Sequence, residues 1–327
     1  MWVKAASKFP RAALVAAAMV IVITGLRAAI DEQIVVGVLR RDGVVTPFAT
    51  FDGKRWRKEW PEPRASVDVP ASVSSVPSKW WGPLGPQDTW QAWTPWTPPL
   101  TLHVRQPDWY GAQCAQQIGL RTDYWSSQPP PDPEAAPYPK DGLAISPPQA
   151  PGTIDRVEIV PVSQSAPEVA TAFNEAERKA IRHFEDRSKH PVQEKRRGAV
   201  PLKIEAIYAA GNPAGTRVYY VEASKQYEFT DRMNEDARLG RCALLSFGAG
   251  WFVRDASGPL KPLGFDVAVV SCNRYQVRYM LPLNTIRIAG RPFWIAQWSG
   301  WDYEEYTIVE IKPDKTEVAL RVWGGGC

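Results

Sequence analysis

The sequence predicts a mainly β protein: antiparallel sheets, sandwich- or barrel-like, in two lobes, with one amphipathic helix. Three observations predict it. From Pro201 onward, β-branched and aromatic runs of strand length alternate with turn clusters such as Gly-Asn-Pro-Ala-Gly at 211–215 and Asp-Ala-Ser-Gly at 255–258. Proline makes up 31 of 327 residues, twice the usual ~5%, and it breaks any long helix before residue 152. Only Ser165–Lys189 repeats apolar residues at helical spacing. A partial echo of Arg41-Asp42-Gly43…Pro47…Phe51-Asp52 in Arg254-Asp255…Gly258…Pro262…Phe265-Asp266 raises one alternative, a propeller-like array of small sheets.

The elements follow in chain order. Residues 1–28 hold Lys4, Lys8, Arg11 and Arg27, no acidic residue, and an apolar run from Ala12 to Leu26, the pattern of a signal peptide. As a helix that run reaches roughly 22 Å, short of the ~30 Å hydrocarbon core of a bilayer. No clean Ala-x-Ala follows it, so an uncleaved anchor through residues 12–26 is the alternative. Either way the body lies outside the cytoplasm: secreted or periplasmic, or membrane-anchored.

Residues 31–125 read as a Trp- and Pro-rich β lobe. Ile34–Arg40, Val44–Phe51 and Lys54–Trp60 form a meander turned by Asp42-Gly43 and Asp52-Gly53. Pro47 marks a bulge or an exposed edge, and Trp56, Lys58 and Trp60 share one strand face. Trp80, Trp81, Trp90, Trp93 and Trp96 fill gaps among short strands and tight loops, with Leu100–Arg105 and Ile118–Tyr124 as further strands. Residues 126–152 hold nine prolines and read as an extended connector.

Residues 153–200 contain the helix. Ser165-x-x-Glu168 is a capping box, Val169, Phe173, Ala176, Ala180 and Phe184 form the apolar stripe, and Pro191 stops it. The charged run to Arg197 reads as a solvated exit. Residues 201–327 form the second β lobe. Its strands are Leu202–Ala209, Thr216–Glu222, Ala243–Arg254, Phe265–Ser271, Tyr275–Leu281, Thr285–Ala289, Pro292–Ser299, Tyr303–Ile311 and Thr316–Trp323, with turns at Gly290-Arg291 and Pro313-Asp314-Lys315.

Charge and motifs exclude several functions. The chain carries 39 basic and 35 acidic residues, and the whole surplus lies in residues 1–28. The body is formally neutral and lacks the basic field of a nucleic-acid binder. Walker, dinucleotide, zinc-protease, nucleophile-elbow and calcium-loop motifs are missing, so no cofactor or metal is expected. His183, Asp186 and His190 sit near one helix face, but His190 abuts Pro191 and solvated side chains explain the group; His103 has no visible nucleophile beside it. Cys114, Cys242, Cys272 and Cys327 read as disulfides in an exported chain. A hairpin centred near residue 257 brings Cys242 opposite Cys272, leaving Cys114 for Cys327.

The densest functional constellation is Trp294, Gln297, Trp298, Trp301, Asp302, Tyr303, Glu304 and Glu305. Its rings and amide suit a glycan or protein ligand, and Asp302, Glu304 and Glu305 are the candidate carboxylates. The plainer reading puts Trp294 and Trp298 in the core and the acids on a wet turn. Two functions follow: an exported non-catalytic protein binding a polymer or protein through an aromatic surface, or a carboxylate-based hydrolase of an extracellular or envelope glycan. A membrane enters only if the N-terminal segment stays uncleaved.

Overall fold

The computed structural model describes residues 34–59, 69–77, 89–112, 114–130, 138–146, 152–161, 167–180, 192, 194–211, 215–228, 242–272, 274, 276–301 and 303–326. Residues 1–28, Trp60, Trp80, Trp81, His183, Asp186, His190, Asp302, Cys327 and residues 181–189 of the expected helix lie outside them.

Seven strands form one sheet that closes into a six-stranded barrel: β1 (Ile34–Arg40), β2 (Val44–Phe51), β3 (Trp56–Lys58), β4 (Thr89–Trp93), β5 (Leu100–Ala112), β6 (Ala115–Thr122) and β7 (Lys140–Ser146). They lie in the order β1-β7-β4-β5-β6-β2-β3, and pairing of β1 with β2 closes the first six. β1 and β2 are buried along their whole length. Val35, Leu39 and Val45 cluster with Trp90, Leu102, Ile118 and Leu120 as the barrel's filling, while Ile34, Val36, Val38 and Phe48 belong to the core shared with the next layer. The bulge at Pro47 is present: Val36 faces Ala49 and Gly37 faces Pro47, which leaves Phe48 as the extra residue.

Two expectations need correction here. β7 lies inside the stretch expected to be a connector. Gly142 lies in mid-strand, where the carbonyl oxygen of Trp93 would lie 2.0 Å from a Cβ, so the close approach of the strands requires glycine there. Of the face shared by Trp56, Lys58 and Trp60, Trp56 is buried and Lys58 is exposed.

The remaining strands form two five-stranded antiparallel sheets. β8 (Thr153–Asp155) and β9 (Glu158–Ile159) are short. They are followed by β10 (Lys203–Gly211), β11 (Arg217–Glu228), β12 (Cys242–Arg254), β13 (Lys261–Ser271), β14 (Tyr279–Ile288), β15 (Arg291–Ser299), β16 (Tyr303–Ile311) and β17 (Thr316–Gly326). One sheet runs β13-β12-β11-β10-β9, the other β17-β16-β15-β14-β8. Each is a four-stranded meander with one short edge strand, and the 153–159 segment crosses from one sheet to the other. The sheets meet through Tyr220, Trp251, Met280, Trp294 and Val309. Trp251 and Trp294 pack edge to face with centroids 4.9 Å apart, an arrangement contributing about 0.5–1.5 kcal/mol beyond burial.

The β14–β17 sheet is the central layer. Its other face presents Phe293, Ile295, Tyr306 and Ile308 to Ile34, Val36 and Phe48 of the barrel. On the far side of the β10–β13 sheet lies α1 (Pro167–Ala180), with Val169, Ala172 and Phe173 against Ile207, Val221 and Phe252. The layers therefore run barrel, sheet, sheet, helix; no radial array of small sheets is present among the described residues.

Three further expectations change. The run to Arg197 is a second helix, α2 (Glu194–Ala199). Arg197 is buried, donates to the Val192 carbonyl at 2.7 Å, and with Lys225 flanks Glu177, which also accepts from the Tyr227 hydroxyl. A buried carboxylate needs such partners, so this run cannot be a solvated tail. Residues 279–281 and 285–288 of the two expected strands belong to the single strand β14, which tolerates Pro282 through a bulge at Leu283. Ile288 pairs with Arg291, so the turn is Ala289-Gly290, both at positive φ.

Candidate functional site: a cleft between two sheets

The aromatic and acidic residues of the 294–305 stretch are divided between the two faces of the central sheet. Trp294 is 1% exposed and Trp298 half-buried, both toward the β10–β13 sheet. The indole N–H of Trp298 donates to Thr307 Oγ1 at 2.7 Å. Glu304 belongs to the barrel interface. It accepts from Lys140 Nζ at 3.1 Å, Gln297 Nε2 at 3.2 Å and the Tyr306 hydroxyl. Burial lowers the pKa of Lys140, and the Glu304 charge opposes that shift. Next to it, the Arg40 guanidinium pairs with Asp42 at 2.8 Å between the rings of Tyr110 and Tyr138.

Glu305 belongs to the opposite face. It accepts from the Tyr303 hydroxyl and pairs with Arg321 at 3.2 Å. Burial and that bond push the Tyr303 hydroxyl up to about 12, and Arg278 lies 4.0 Å over its ring. Trp301 is 68% exposed. Neighbouring residues of a strand project to opposite faces, so Glu304 and Glu305 cannot share a substrate. Glu304 and Glu305 are therefore not gathered into one cleft, and Asp302 lies outside the described residues.

A cleft lies at the other end of the same strands. Facing antiparallel meanders bring alternate hairpin tips to one end, and here residues of four hairpins converge: Gly211 and Thr216, Asp255, Gly290, and Lys312 with Pro313. Between them opens a cavity of about 540 Å³, within the ~300–1,000 Å³ range of ligand pockets. Ala210, Val218, Val253, Trp294 and Ile311 give it an apolar lining. Asp155, Thr216, Asp255, Lys261, Arg287 and Lys312 supply the polar groups. An adjoining cavity of about 470 Å³ shares Asp155, Gly211 and Arg287 and adds Arg156 and Glu158.

Several of these polar groups are already engaged. Thr216 Oγ1 donates to Asp255 at 3.0 Å, Lys312 pairs with Glu317, and Arg217 with Glu158. The buried indole N–H of Trp294 has no hydrogen-bond partner among the described residues. Of the described residues of the expected site, only Trp294 lines this cleft. Asp155, Asp255, Lys261 and Arg287 were not singled out from sequence, although the turns carrying Asp255 and Gly290 were recognisable. The missing signal was which tips share an end.

At the opposite end of the sandwich, Glu222 is 3% exposed between the two sheets and accepts the Met280 N–H at 2.7 Å. Burial raises its pKa to about 7, the Met280 hydrogen bond opposes this, and the Glu205 charge adds to it. Glu222 does not line the cleft. No group of metal-ligating side chains occurs among the described residues. Comparisons with protein families, with curated proteins and with solved structures return no match.

Proposed function

We propose that the protein is an exported, non-catalytic binding module whose ligand seats in the cleft between the two five-stranded sheets. The cleft carries this reading: its lining is apolar, Trp294 is at its base, and polar groups from different hairpins converge on its mouth. Such pockets hold a ligand by apolar contact and orient it by a few polar groups. The charged start and apolar run of residues 1–28 support export. Cys114 and Cys272 are not free thiols, which fits an oxidising compartment.

A hydrolase reading draws on one observation: Asp155 and Asp255 line the same cleft. Against it, the carboxyl that burial holds near neutrality, the form a general acid requires, is Glu222, outside the cleft. The test is a calorimetric screen of oligosaccharides, peptidoglycan fragments, peptides and amphiphiles on the wild type and on Thr216→Trp, whose ring covers the mouth. The expected result is a ligand that binds unchanged and is lost in Thr216→Trp. A ligand indifferent to Thr216→Trp would overturn the cleft, and product release abolished by Asp155→Asn would replace binding with hydrolysis.

A further inference from the structure

Building on the cleft reading, we propose that the ligand is an amphipathic anion, its apolar chain between the sheets and its carboxylate or phosphate head at the mouth on Lys261 and Arg287. The cleft opens directly off the sandwich core. Its inner wall of Val218, Val253, Trp294 and Ile311 continues the cluster of Trp251, Met280 and Val309. Water against that wall is poorly accommodated, and an alkyl chain replacing it gains the ordinary hydrophobic free energy. A sugar stacking on a ring needs an open ring face, whereas Trp294 is 1% exposed.

The mouth selects the head. Lys261 on β13 and Arg287 on β14 are both exposed, line the cleft from opposite sheets, and have no ion-pair partner among the described residues. Of the acids, Glu158 is paired with Arg217, whereas Asp255 accepts from the neutral Thr216 hydroxyl and keeps its charge. Asp155 and Asp255 are two carboxylates set against three cations, Lys261, Arg287 and the neighbouring Arg156, whose guanidinium donates to the neutral Thr97 carbonyl. The balance of uncommitted charge is positive, and two cations facing each other across an apolar slot suit an anionic head. The unpartnered Trp294 N–H adds a buried donor for an oxygen that enters deeper.

The test titrates the protein calorimetrically with decanoate, decyl phosphate, decan-1-ol, decyltrimethylammonium and acetate, each below its aggregation threshold. Decanoate or decyl phosphate should bind at least tenfold more tightly than decan-1-ol, with the cation and acetate silent; the stronger of the two anions identifies the head. Lys261→Ala/Arg287→Ala should cost the anion about tenfold and leave decan-1-ol unchanged. The charge-matched control Lys203→Ala/Lys315→Ala, away from the cleft, should change neither. Equal binding of decanoate and decan-1-ol, or an effect of the control as large as that of the cleft pair, would overturn the anion while leaving the cleft standing. Amphiphile binding that survives Thr216→Trp would overturn the cleft as well.

Discussion

Glu222 couples the two five-stranded sheets through one hydrogen bond to the Met280 N–H, and its environment makes stability depend on pH. Glu205, Tyr208 and Tyr220 surround it electrostatically, and none supplies a cation. The folded protein holds the Glu222 proton up to about pH 7, against an ordinary glutamate value of 4.5. Below 4.5 both folded and unfolded chains are protonated. As pH rises toward 7 the unfolded chain releases its proton first, so stability falls by about 3 kcal/mol and then levels off. Urea unfolding at pH 4.5 and pH 7.5 should show this loss, and Glu222→Gln should remove it. A second residue carries strain: Ala289 sits at φ 49° in the β14–β15 turn, a region that disfavours a Cβ. Ala289→Gly should raise stability by roughly 0.5–1 kcal/mol, read as a higher urea midpoint at unchanged slope.

At the scale of the element, the β12–β13 hairpin shows how far sequence reasoning reaches. Its arms pair as Phe252 with Pro262, a register centred on residue 257. Turn chemistry fixed that centre. A bulge at Trp251/Phe252 then brings Leu244 opposite Ser271, a one-residue slip with no sequence signature. A second irregularity against β11 skips Ala243 and sets Cys242 opposite Glu228, which supports Cys242 coming back level with Cys272. Non-reducing peptide mapping is expected to find Cys242–Cys272 and Cys114–Cys327; Cys114 linked to Cys242 would contradict this register. β-branched runs ending in Asp-Gly, or in Pro313-Asp314 after β16, marked β1, β2 and β16 to the residue, because such strands need no partner to be recognised. β4 and β7 escaped because their strand character comes from neighbours: Gly142 is needed for the close approach of Trp93, not for a turn. The same limit hid the cleft. Individual tips are legible, but their convergence depends on how two sheets stack.

For the whole molecule, the seam between barrel and central sheet combines a large apolar area with one buried ion pair. The side chains of Lys140 and Glu304 are 2% and 9% exposed, and the two come from strands far apart in sequence. Removing one partner strands the other's charge out of water. Lys140→Met is expected to cost about 3–5 kcal/mol, and Lys140→Met/Glu304→Leu to recover much of it, as chemical denaturation of the single and double variants would show. A double variant no more stable than the single would mean that the hydrogen bonds from Tyr306 and Gln297, not the charge pair, hold the seam. The position of β7 has a further consequence, in time rather than space. β7 fits between β1 and β4, so a chain emerging N-terminus first carries two unsatisfied strand edges until Ser146 has followed. If the chain is exported unfolded, as proposed above, that interval invites strand exchange with another copy, and a chaperone that shields β1 would do the most good there.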